Sequence, residues 1–299
     1  MIIPNTYLIG VQKAATTSFY NWLSQHPDIC APLSLKDIEF FIRPEYYKEK
    51  GIEYLSNRYK KEFNNQKIIL QGCVHYIFFE EAISRIKELN KESKLILILR
   101  NPVERALSAY HYAKKFNYED LSMEKAFKQE SFRMKSNDIR KLSELTYINH
   151  GLYFKQIQEV LKYFPKEQLH ILFYENLKSN SEQELKKAFN FLGVNSEFEV
   201  DYKVYNNTGK VRNKALQKIV FGEHPIRNFF VRKIFKRIVS ENKIKKMRWK
   251  AMDLNTIQQK SDYLNEVDQK FKKELFTFFK EDIKNLETQL NVSLNHWKI

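Results

Sequence analysis

Short apolar runs alternate with longer amphipathic segments through the first two thirds of the chain. Strands that are buried on both faces of a sheet read as continuous apolar runs, so each run predicts a strand of a parallel sheet. The clearest runs are Tyr7–Ile9, Ile68–Leu70, Leu95–Leu99 and Leu169–Tyr174. Because helical segments separate them, we expect helices on both faces of that sheet.

The intervening segments carry apolar residues at helical spacing, and two of them have recognisable ends. Asn101 followed by Pro102 is typical of a helix start, where Asn caps the first turn and Pro fits its first position. Gly193 is typical of a helix end, which often needs a left-handed residue. The predicted helices are Thr17–Gln25, Glu80–Asn90, Pro102–Lys114, Gly151–Phe164 and Ser181–Leu192. We expect residues 134–150 to form a loop.

From about Lys214 the strand-like runs stop, and helical spacing continues to the end of the chain. No internal repeat and no Gly/Ser-rich or Pro-rich linker marks a domain boundary. We therefore predict one domain over residues 1–299. Its fold class is α/β, with a central parallel sheet flanked by helices and a helical C-terminal extension.

The composition gives the chain a strong positive charge. The chain has 299 residues, with 51 Lys and Arg against 36 Asp and Glu, which gives a formal net charge of +15. Such a charge attracts nucleic acids, acidic membrane surfaces, polyanionic acceptors and phosphorylated cofactors, and it does not choose among them. Hydrophobic residues make up 43% of the chain, a proportion that excludes a disordered protein.

The apolar runs and the cysteines indicate where in the cell the protein is expected. The longest runs hold about five residues, whereas a membrane-spanning helix needs roughly 20, so we expect no transmembrane span. The first residues lack a charged n-region, which predicts no secretory signal. Cys30 and Cys73 are the only cysteines and form no metal-ligand spacing, so a reducing, cytoplasmic location is expected.

The segment after the first strand is suited to binding phosphate. A loop between a parallel strand and a helix directs backbone N–H groups and the positive end of the helix dipole toward one point. Its side chains add a positive charge, small residues that admit an anion, and hydroxyls; they are Lys13, Ala14, Ala15, Thr16, Thr17 and Ser18. A Walker A loop would need Gly at position 15 and Lys at position 16. This sequence has Ala15 and Thr16 there, so the segment is not a Walker A loop. A strand–helix turn with a Ser or Thr cap stays open as the alternative.

A second candidate anion site follows the third apolar run. Arg100 stands at the carboxyl end of that predicted strand, where ligands bind in open α/β sheets. A guanidinium there can hold a phosphate through two hydrogen bonds, and Ser108 on the next helix could add a hydroxyl. A Walker B strand would end in Asp to hold magnesium, whereas this strand ends at Arg100, so it does not match a Walker B strand. An Arg that pairs with Glu104 at the helix start is the structural alternative.

Together the two segments resemble the phosphosulfate-binding loop and the 3′-phosphate-binding element of sulfotransferases that use 3′-phosphoadenylyl sulfate. The first segment is especially similar to the heparan sulfate N- and O-sulfotransferase type and its bacterial relatives. Further similar segments follow in the family's order along nearly the whole chain. They are Leu35–Phe41, Gly151–Tyr153, Phe164–Leu169, Glu175–Leu177 and the C-terminal helix that closes on Trp297.

The resemblance implies a P-loop-like fold and transfer of a sulfuryl group from 3′-phosphoadenylyl sulfate to a hydroxyl or an amine, with 3′-phosphoadenosine 5′-phosphate as product and no metal required. Lys13 would contact the phosphosulfate together with the backbone amides of residues 14–18. Arg100 and Ser108 would bind the 3′-phosphate. Asp37 takes the position of the family's general base. A loop that closes over the nucleotide would contribute Lys210, Val211 and Arg212.

The acceptor side departs from the family pattern. Gln71 stands where the family has an acidic residue, and Ala15 stands where it commonly has glycine, a change that is tolerated if φ is negative. His75 could act as a replacement acid or base, although a structural histidine is the simpler interpretation. The candidate acceptor-binding residues are Lys36, Phe40, Gln71, His75 and His111.

Two other functions remain as alternatives. A nucleotide or adenylylsulfate kinase would need a Walker A loop and a magnesium-holding acid, and the sequence has neither at the matching positions. A non-enzymatic protein could bind a polyanion or a membrane surface through residues 227–250, where ten Lys and Arg stand against one Glu with aromatic residues between them. The same segment could instead recognise an acidic acceptor or form a solvated face. A saccharide or a small molecule is expected as acceptor rather than nucleic acid, and the oligomeric state stays open.

Overall fold

Five parallel strands form the central sheet of the computed structural model, which describes residues 1–203, 210–211, 256–257 and 267–299. The strands are β1 Thr6–Gly10, β2 Ile29–Cys30, β3 Ile68–Gly72, β4 Lys94–Leu99 and β5 Leu169–Phe173. Their order across the sheet is β2-β3-β1-β4-β5, and every neighbouring pair is parallel. The predicted α/β fold with a parallel sheet is confirmed.

Helices join these strands and cover the sheet. The α-helices among the described residues are α1 Thr16–Leu23, α2 Gly51–Tyr59, α3 Glu80–Leu89, α4 Pro102–Lys115, α5 Met123–Lys128, α6 Glu130–Arg133, α7 Ile139–Glu144, α8 Tyr153–Tyr163, α9 Tyr174–Ser179, α10 Ser181–Leu192 and α11 Gln269–Leu290. A π-helix covers Glu45–Lys50, and short 3₁₀ turns cover Leu33–Leu35, Tyr76–Phe78, Asn149–Gly151, Lys166–Gln168 and Asn295–Trp297.

The local signals in the sequence explain where the clearest elements begin and end. Asn101 caps α4, because its side chain accepts hydrogen bonds from the N–H groups of Val103 and Glu104. Pro102 occupies the first turn, where its missing N–H costs nothing. Gly193 ends α10 with a φ of 76°, the left-handed conformation that glycine adopts without a steric penalty.

The strand order brings the two predicted anion-binding segments to one edge of the sheet. β1 lies between β3 and β4, since Leu8 pairs with Gly72 on one side and with Ile96 on the other. From β1 the chain passes to β2 at one edge of the sheet, whereas from β4 it passes to β5 at the other edge, so the direction of the connections reverses between β1 and β4. The segments that follow β1, β3 and β4 all leave the sheet at its carboxyl edge, so the two predicted anion-binding segments become neighbours.

Several elements differ from the sequence prediction. The predicted loop 134–150 contains α7 and a 3₁₀ turn; α7 is a six-residue helix capped by Asp138 and too short to show an apolar period. Strands do not stop at about Lys214 as predicted, because Thr256–Ile257 (β7) pairs antiparallel with Lys210–Val211 (β6). The two-residue strand β2 and the helix α2 were not predicted at all.

The C-terminal helix is joined to the main body of the domain. α11 packs against α8 and α4, and the carboxylate of Asp282 accepts a hydrogen bond of 3.1 Å from the backbone N–H of Phe154 at the start of α8. Trp297 is buried, and its carbonyl accepts a hydrogen bond from the Asn101 amide. Within the described part of the chain, no helix is long and apolar enough to span a membrane.

Candidate functional site

The loop between β1 and α1 has an unusual backbone. Lys13 and Ala15 have φ angles of 72° and 59°, in the left-handed region. Ala15 occupies the cap position of α1, and no side chain caps the helix there. The Ser or Thr cap considered from the sequence is therefore wrong, and Ala15 does not meet the condition of a negative φ under which we expected alanine to be tolerated. The start of α1 presents the positive end of its helix dipole to this loop, which favours an anion there.

Arg100 links the two anion-binding segments. It lies at the end of β4 and is 8% exposed. Its Nη1 donates to the carbonyl of Lys13 at 2.9 Å, and its Nη2 lies 2.9 Å from a carboxylate oxygen of Glu104. The guanidinium also lies 4.5 Å from the ring centre of Tyr174. The pairing with Glu104 is thus present, but the same side chain also contacts the phosphate loop.

One nitrogen of the Arg100 guanidinium takes part in none of these contacts. Its Nε is buried and has no hydrogen-bond partner among the described residues. A buried donor without a partner costs free energy, which a phosphate oxygen could recover. Ser108 is buried on α4, the helix that follows Arg100. The observed geometry therefore fits an anionic ligand at this end of β4.

Lys13 lies in a strongly electropositive place. Its side chain is half-buried, and its Nζ lies 4.5 Å from the ring centre of Tyr112 on α4. Burial, together with the charges of Arg100 and Lys115, lowers the pKa of Lys13 to about 8, while Glu144 acts in the opposite direction. At neutral pH Lys13 is still mostly protonated, and an incoming anion would relieve the repulsion.

Asp37 is positioned by the end of β3. Its N–H donates to the carbonyl of Gly72 at 2.7 Å, and its φ of 62° turns the chain there. One carboxylate oxygen lies 2.6 Å from the Nζ of the buried Lys36, and the other accepts a hydrogen bond from the N–H of Val74. Its side chain is 48% exposed, so the carboxylate remains accessible to a substrate.

Two of the predicted acceptor-binding residues belong to the core instead. Phe40 is fully buried, with its ring against those of Phe41 and Tyr47. Gln71 is also fully buried, and its amide donates to the carbonyl of Ile38 at 3.2 Å. Neither side chain can meet a substrate without rearrangement of the core. His111 is half-buried against the ring of Tyr110 on α4.

His75 lies in a histidine and carboxylate cluster. Its Nε2 is 3.6 Å from a carboxylate oxygen of Glu144, and its ring packs edge-on against that of His150. Burial alone would lower the pKa of His75, but the hydrogen bond and the charge of Glu144 raise it above its usual range. Burial and the charge of His75 lower the pKa of His150.

Sequence reasoning missed Glu144 and the contact it makes with Gln12. The second carboxylate oxygen of Glu144 accepts a hydrogen bond of 2.8 Å from the Gln12 side chain, which lies in the phosphate loop. Gln12 stands inside the phosphate-binding segment and could have been noticed there. Glu144 carried no signal, because it ends a short helix in a stretch without periodicity. Sequence reasoning also missed Tyr112, whose ring packs against the Nζ of Lys13.

The third donor-binding segment is described only in part. The backbone of Lys210 and Val211 forms the short strand β6, and their side chains are not described. Arg212 lies outside the described residues, as does the whole basic segment 227–250. Their assignments stay predictions.

Fold and site together define an α/β protein that presents basic side chains and an uncapped helix start at the carboxyl edge of a parallel sheet. The sulfotransferase domain model matches residues 4–285, so the chain belongs to the sulfotransferase family. A heparan sulfate glucosamine 3-O-sulfotransferase 5 from Mus musculus is 30% identical over 193 residues, which are 64% of this chain and 54% of that protein.

Two further comparisons agree with this membership. A bifunctional heparan sulfate N-deacetylase/N-sulfotransferase 3 from Homo sapiens is 29% identical over 202 residues, covering 64% of this chain and 22% of that protein. A crystal structure of a sulfotransferase from Alicyclobacillus acidocaldarius superimposes with a TM-score of 0.68 at 21% identity and covers 99% of both chains. The chain spans about half the length of the 3-O-sulfotransferase it matches, and the resemblance to that crystal structure supports the fold.

Proposed function

We propose that this protein transfers a sulfuryl group from 3′-phosphoadenylyl sulfate to a hydroxyl or amine and releases 3′-phosphoadenosine 5′-phosphate. The observation that carries the proposal is the hydrogen bond of 2.9 Å from the Arg100 guanidinium to the backbone carbonyl of Lys13, beside the start of α1, where no side chain of the cap residue Ala15 caps the helix. A donor with separate 5′- and 3′-phosphate groups suits two cationic side chains that follow the adjacent strands β1 and β4.

The residues of the site supply what the transfer requires. The acceptor oxygen or nitrogen forms a bond to sulfur as the bond between sulfur and the leaving phosphate oxygen breaks. The electron pair of that bond passes to the phosphate, where Lys13 and the amides of residues 14–18 stabilise the developing charge. Asp37 takes the proton from the acceptor. Arg100 and Ser108 hold the 3′-phosphate, and Lys210, Val211 and Arg212 close over the nucleotide.

No metal ion is assigned to this reaction. Lys13 and Arg100 provide the positive charge that magnesium provides in kinases. Arg100 also occupies the end of β4, where a magnesium-binding acid would stand in such enzymes. We further propose that residues 1–299 act as one sulfotransferase domain, and that the protein works in the cytoplasm, with Cys30 and Cys73 as buried free thiols.

The acceptor is a saccharide or a small molecule in this proposal. The names of the two heparan sulfate relatives favour a saccharide, while Gln71 and the residues after it differ from the family pattern. Lys36, His75 and His111 are the remaining candidates for contact with it. A screen of labelled donor against saccharides, amines, phenols and lipids would identify the acceptor, and sulfation in none of these classes would contradict the proposal.

Donor binding offers the most direct test. We expect calorimetry to show binding of 3′-phosphoadenosine 5′-phosphate, with ATP and adenosine 5′-phosphosulfate binding much more weakly, because both lack the 3′-phosphate that Arg100 and Ser108 hold. Binding should persist in EDTA. Arg100→Lys is the informative variant, since lysine keeps the charge but loses the planar fork of donors. Equal affinity for the three nucleotides would remove the roles assigned to Arg100 and Ser108.

A further inference from the structure

Three segments that resemble the family have no part in the proposed reaction. They contain Tyr153, Glu175 and Trp297, which lie far apart in the sequence. In the folded chain all three contact Arg100 or Asn101, where β4 passes into α4. Because three distant parts of the chain meet at the residue proposed to hold the 3′-phosphate, we looked for a task that they share there.

The contacts hold one peptide group at both of its polar atoms. The Tyr153 hydroxyl donates to the carbonyl of Arg100 at 2.8 Å. A carboxylate oxygen of Glu175 accepts a hydrogen bond of 3.0 Å from the N–H of Asn101, which belongs to the same peptide group. The carbonyl of Trp297 accepts a hydrogen bond of 3.3 Å from the Asn101 side chain, whose oxygen caps α4. These three residues therefore form a peptide clamp that fixes the orientation of this group.

Two members of the peptide clamp are themselves held by packing. Tyr153 and Trp297 are fully buried, and their ring centres lie 6.1 Å apart. The Trp297 ring also packs against that of Phe173 at the end of β5, with 5.8 Å between the centres. The next residue, Tyr174, has its ring centre 4.5 Å from the Arg100 guanidinium. Buried rings in a close-packed interior have little room to move, so the clamp has a defined position.

We propose that the peptide clamp positions Arg100, so that its guanidinium is directed at the 3′-phosphate of the donor. This rests on the proposed role of Arg100 in holding that phosphate. A guanidinium binds phosphate through a planar set of donors, so a small rotation of the peptide group that carries it weakens the contact. Specificity for a 3′-phosphorylated nucleotide thus depends on residues that act through the backbone of Arg100.

Tyr153→Phe is the most direct test, because it removes only the hydroxyl and keeps the buried ring. We expect the Kd of 3′-phosphoadenosine 5′-phosphate to rise about fivefold, on the scale of one hydrogen bond, and the Kd of adenosine 5′-phosphate to rise less than about 1.5-fold. The second nucleotide differs only in lacking the 3′-phosphate. Calorimetry, by displacement for the weaker ligand, measures both. A merely structural defect would weaken both nucleotides equally, and an unchanged ratio of the two Kd values would overturn the proposal.

Tyr59→Phe is the matched control. Tyr59 is also fully buried, and its hydroxyl donates to a strand carbonyl, that of Leu70 on β3, at 2.9 Å. The control should lose similar stability but keep the ratio of the two Kd values; an equal change of that ratio would overturn the proposal.

Asn101→Ser provides a second variant if Tyr153→Phe does not fold. Serine still caps α4 but has no amide to donate to the carbonyl of Trp297. We expect the preference for the 3′-phosphorylated nucleotide to fall about threefold. A preference equal to that of the unaltered protein would overturn the proposal.

Hydrogen–deuterium exchange without nucleotide separates the peptide clamp from the proposed function. The N–H of Asn101 donates to Glu175, so its exchange reports on the clamp directly. We expect peptides that contain Asn101 to exchange about fivefold faster in Tyr153→Phe and at an unchanged rate in Tyr59→Phe. Unchanged exchange in Tyr153→Phe would overturn the proposal. If the unaltered protein binds the two nucleotides equally, the role of Arg100 in the proposed function is wrong, while exchange still decides whether the clamp holds this peptide group.

Discussion

At the scale of single residues, Lys13 and Asp37 should fail in different ways when they are removed. Asp37→Asn keeps the size of the side chain but cannot take a proton, so donor affinity should hold while kcat falls by about 10²–10⁴. Lys13→Ala removes a charge used in binding and in the transition state, so Kd and kcat should both worsen. Steady-state kinetics with calorimetry on each variant would separate the two effects.

Asp28→Asn serves as the control for that comparison, because the Asp28 side chain is exposed. It should leave both constants unchanged. Full kcat in Asp37→Asn would place the general base elsewhere, and His75 would be the next candidate. A smaller loss of kcat would be expected for an amine acceptor, since a neutral amine attacks without first losing a proton.

The backbone of the phosphate loop leads to a stability prediction. Ala15 adopts the left-handed conformation, which costs an L-residue with a Cβ roughly 1–2 kcal/mol. Ala15→Gly should therefore stabilise the protein by about 0.5–1 kcal/mol, once the larger freedom of glycine in the unfolded chain is subtracted. Denaturant unfolding would measure this change. Ala14→Gly is the control and should destabilise, because Ala14 is buried and is not among the positive-φ residues; destabilisation by Ala15→Gly would contradict the prediction.

Some residues of the site can be identified from the sequence immediately around them, whereas others depend on contacts made in the folded structure. Lys13 and Arg100 could be identified from the sequence, since each follows an apolar run that predicts a strand. The sign of φ at Ala15 could not, because alanine carries no local signal for the left-handed conformation, which a Cβ disfavours. Phe40 and Gln71 were assigned to the acceptor, yet tertiary packing buries both. Glu144 reaches the site from a helix far away in sequence, a contact that no local pattern encodes.

At the scale of elements, the segment between α5 and α8 is held by buried carboxylates rather than by an apolar stripe. Glu130 is buried, and its oxygens accept hydrogen bonds from the backbone N–H groups of Tyr147, Ile148 and Asn149. Glu119 pairs with Arg133 through two hydrogen bonds and also accepts one from the Tyr147 hydroxyl. This explains why hydrophobic periodicity predicted a loop here, whereas β4 and α4 were predicted nearly to the residue.

Glu130→Gln tests this account. The amide replaces an accepting oxygen with a donor that faces backbone N–H groups, so we expect a loss of roughly 3 kcal/mol in the free energy of unfolding. Glu124→Gln on the neighbouring helix α5 is the matched control, because Glu124 is exposed and should change stability by less than about 0.5 kcal/mol. Thermal or denaturant unfolding of both variants gives the comparison. An equally small change in Glu130→Gln would show that other contacts hold residues 147–149.

At the scale of the whole molecule, periodicity predicted the layers but not their arrangement. Four of the five strands of the central sheet were identified from their own residues, whereas the order β2-β3-β1-β4-β5 depends on contacts between segments far apart in sequence. The edge strand β2 has two residues, too few to show any pattern. The position of the cleft could still be anticipated, because both anion-binding segments follow strands of the same parallel sheet.

The net charge of +15 yields a prediction about the acceptor. If the acceptor is a long polyanion, attraction to the basic segment 227–250 should be screened by salt, since the Debye length falls to about 10 Å at 0.1 M. We then expect the acceptor KM to rise about tenfold between 50 and 250 mM salt, because polyanion binding releases counterions. Reversing Lys245 and Lys246 to Glu should raise KM at low salt. The same reversal at the exposed pair Lys60 and Lys61 should have little effect. An acceptor KM that responds neither to salt nor to the reversal at 245 and 246 would instead identify a small acceptor, bound within the cleft without help from the basic segment.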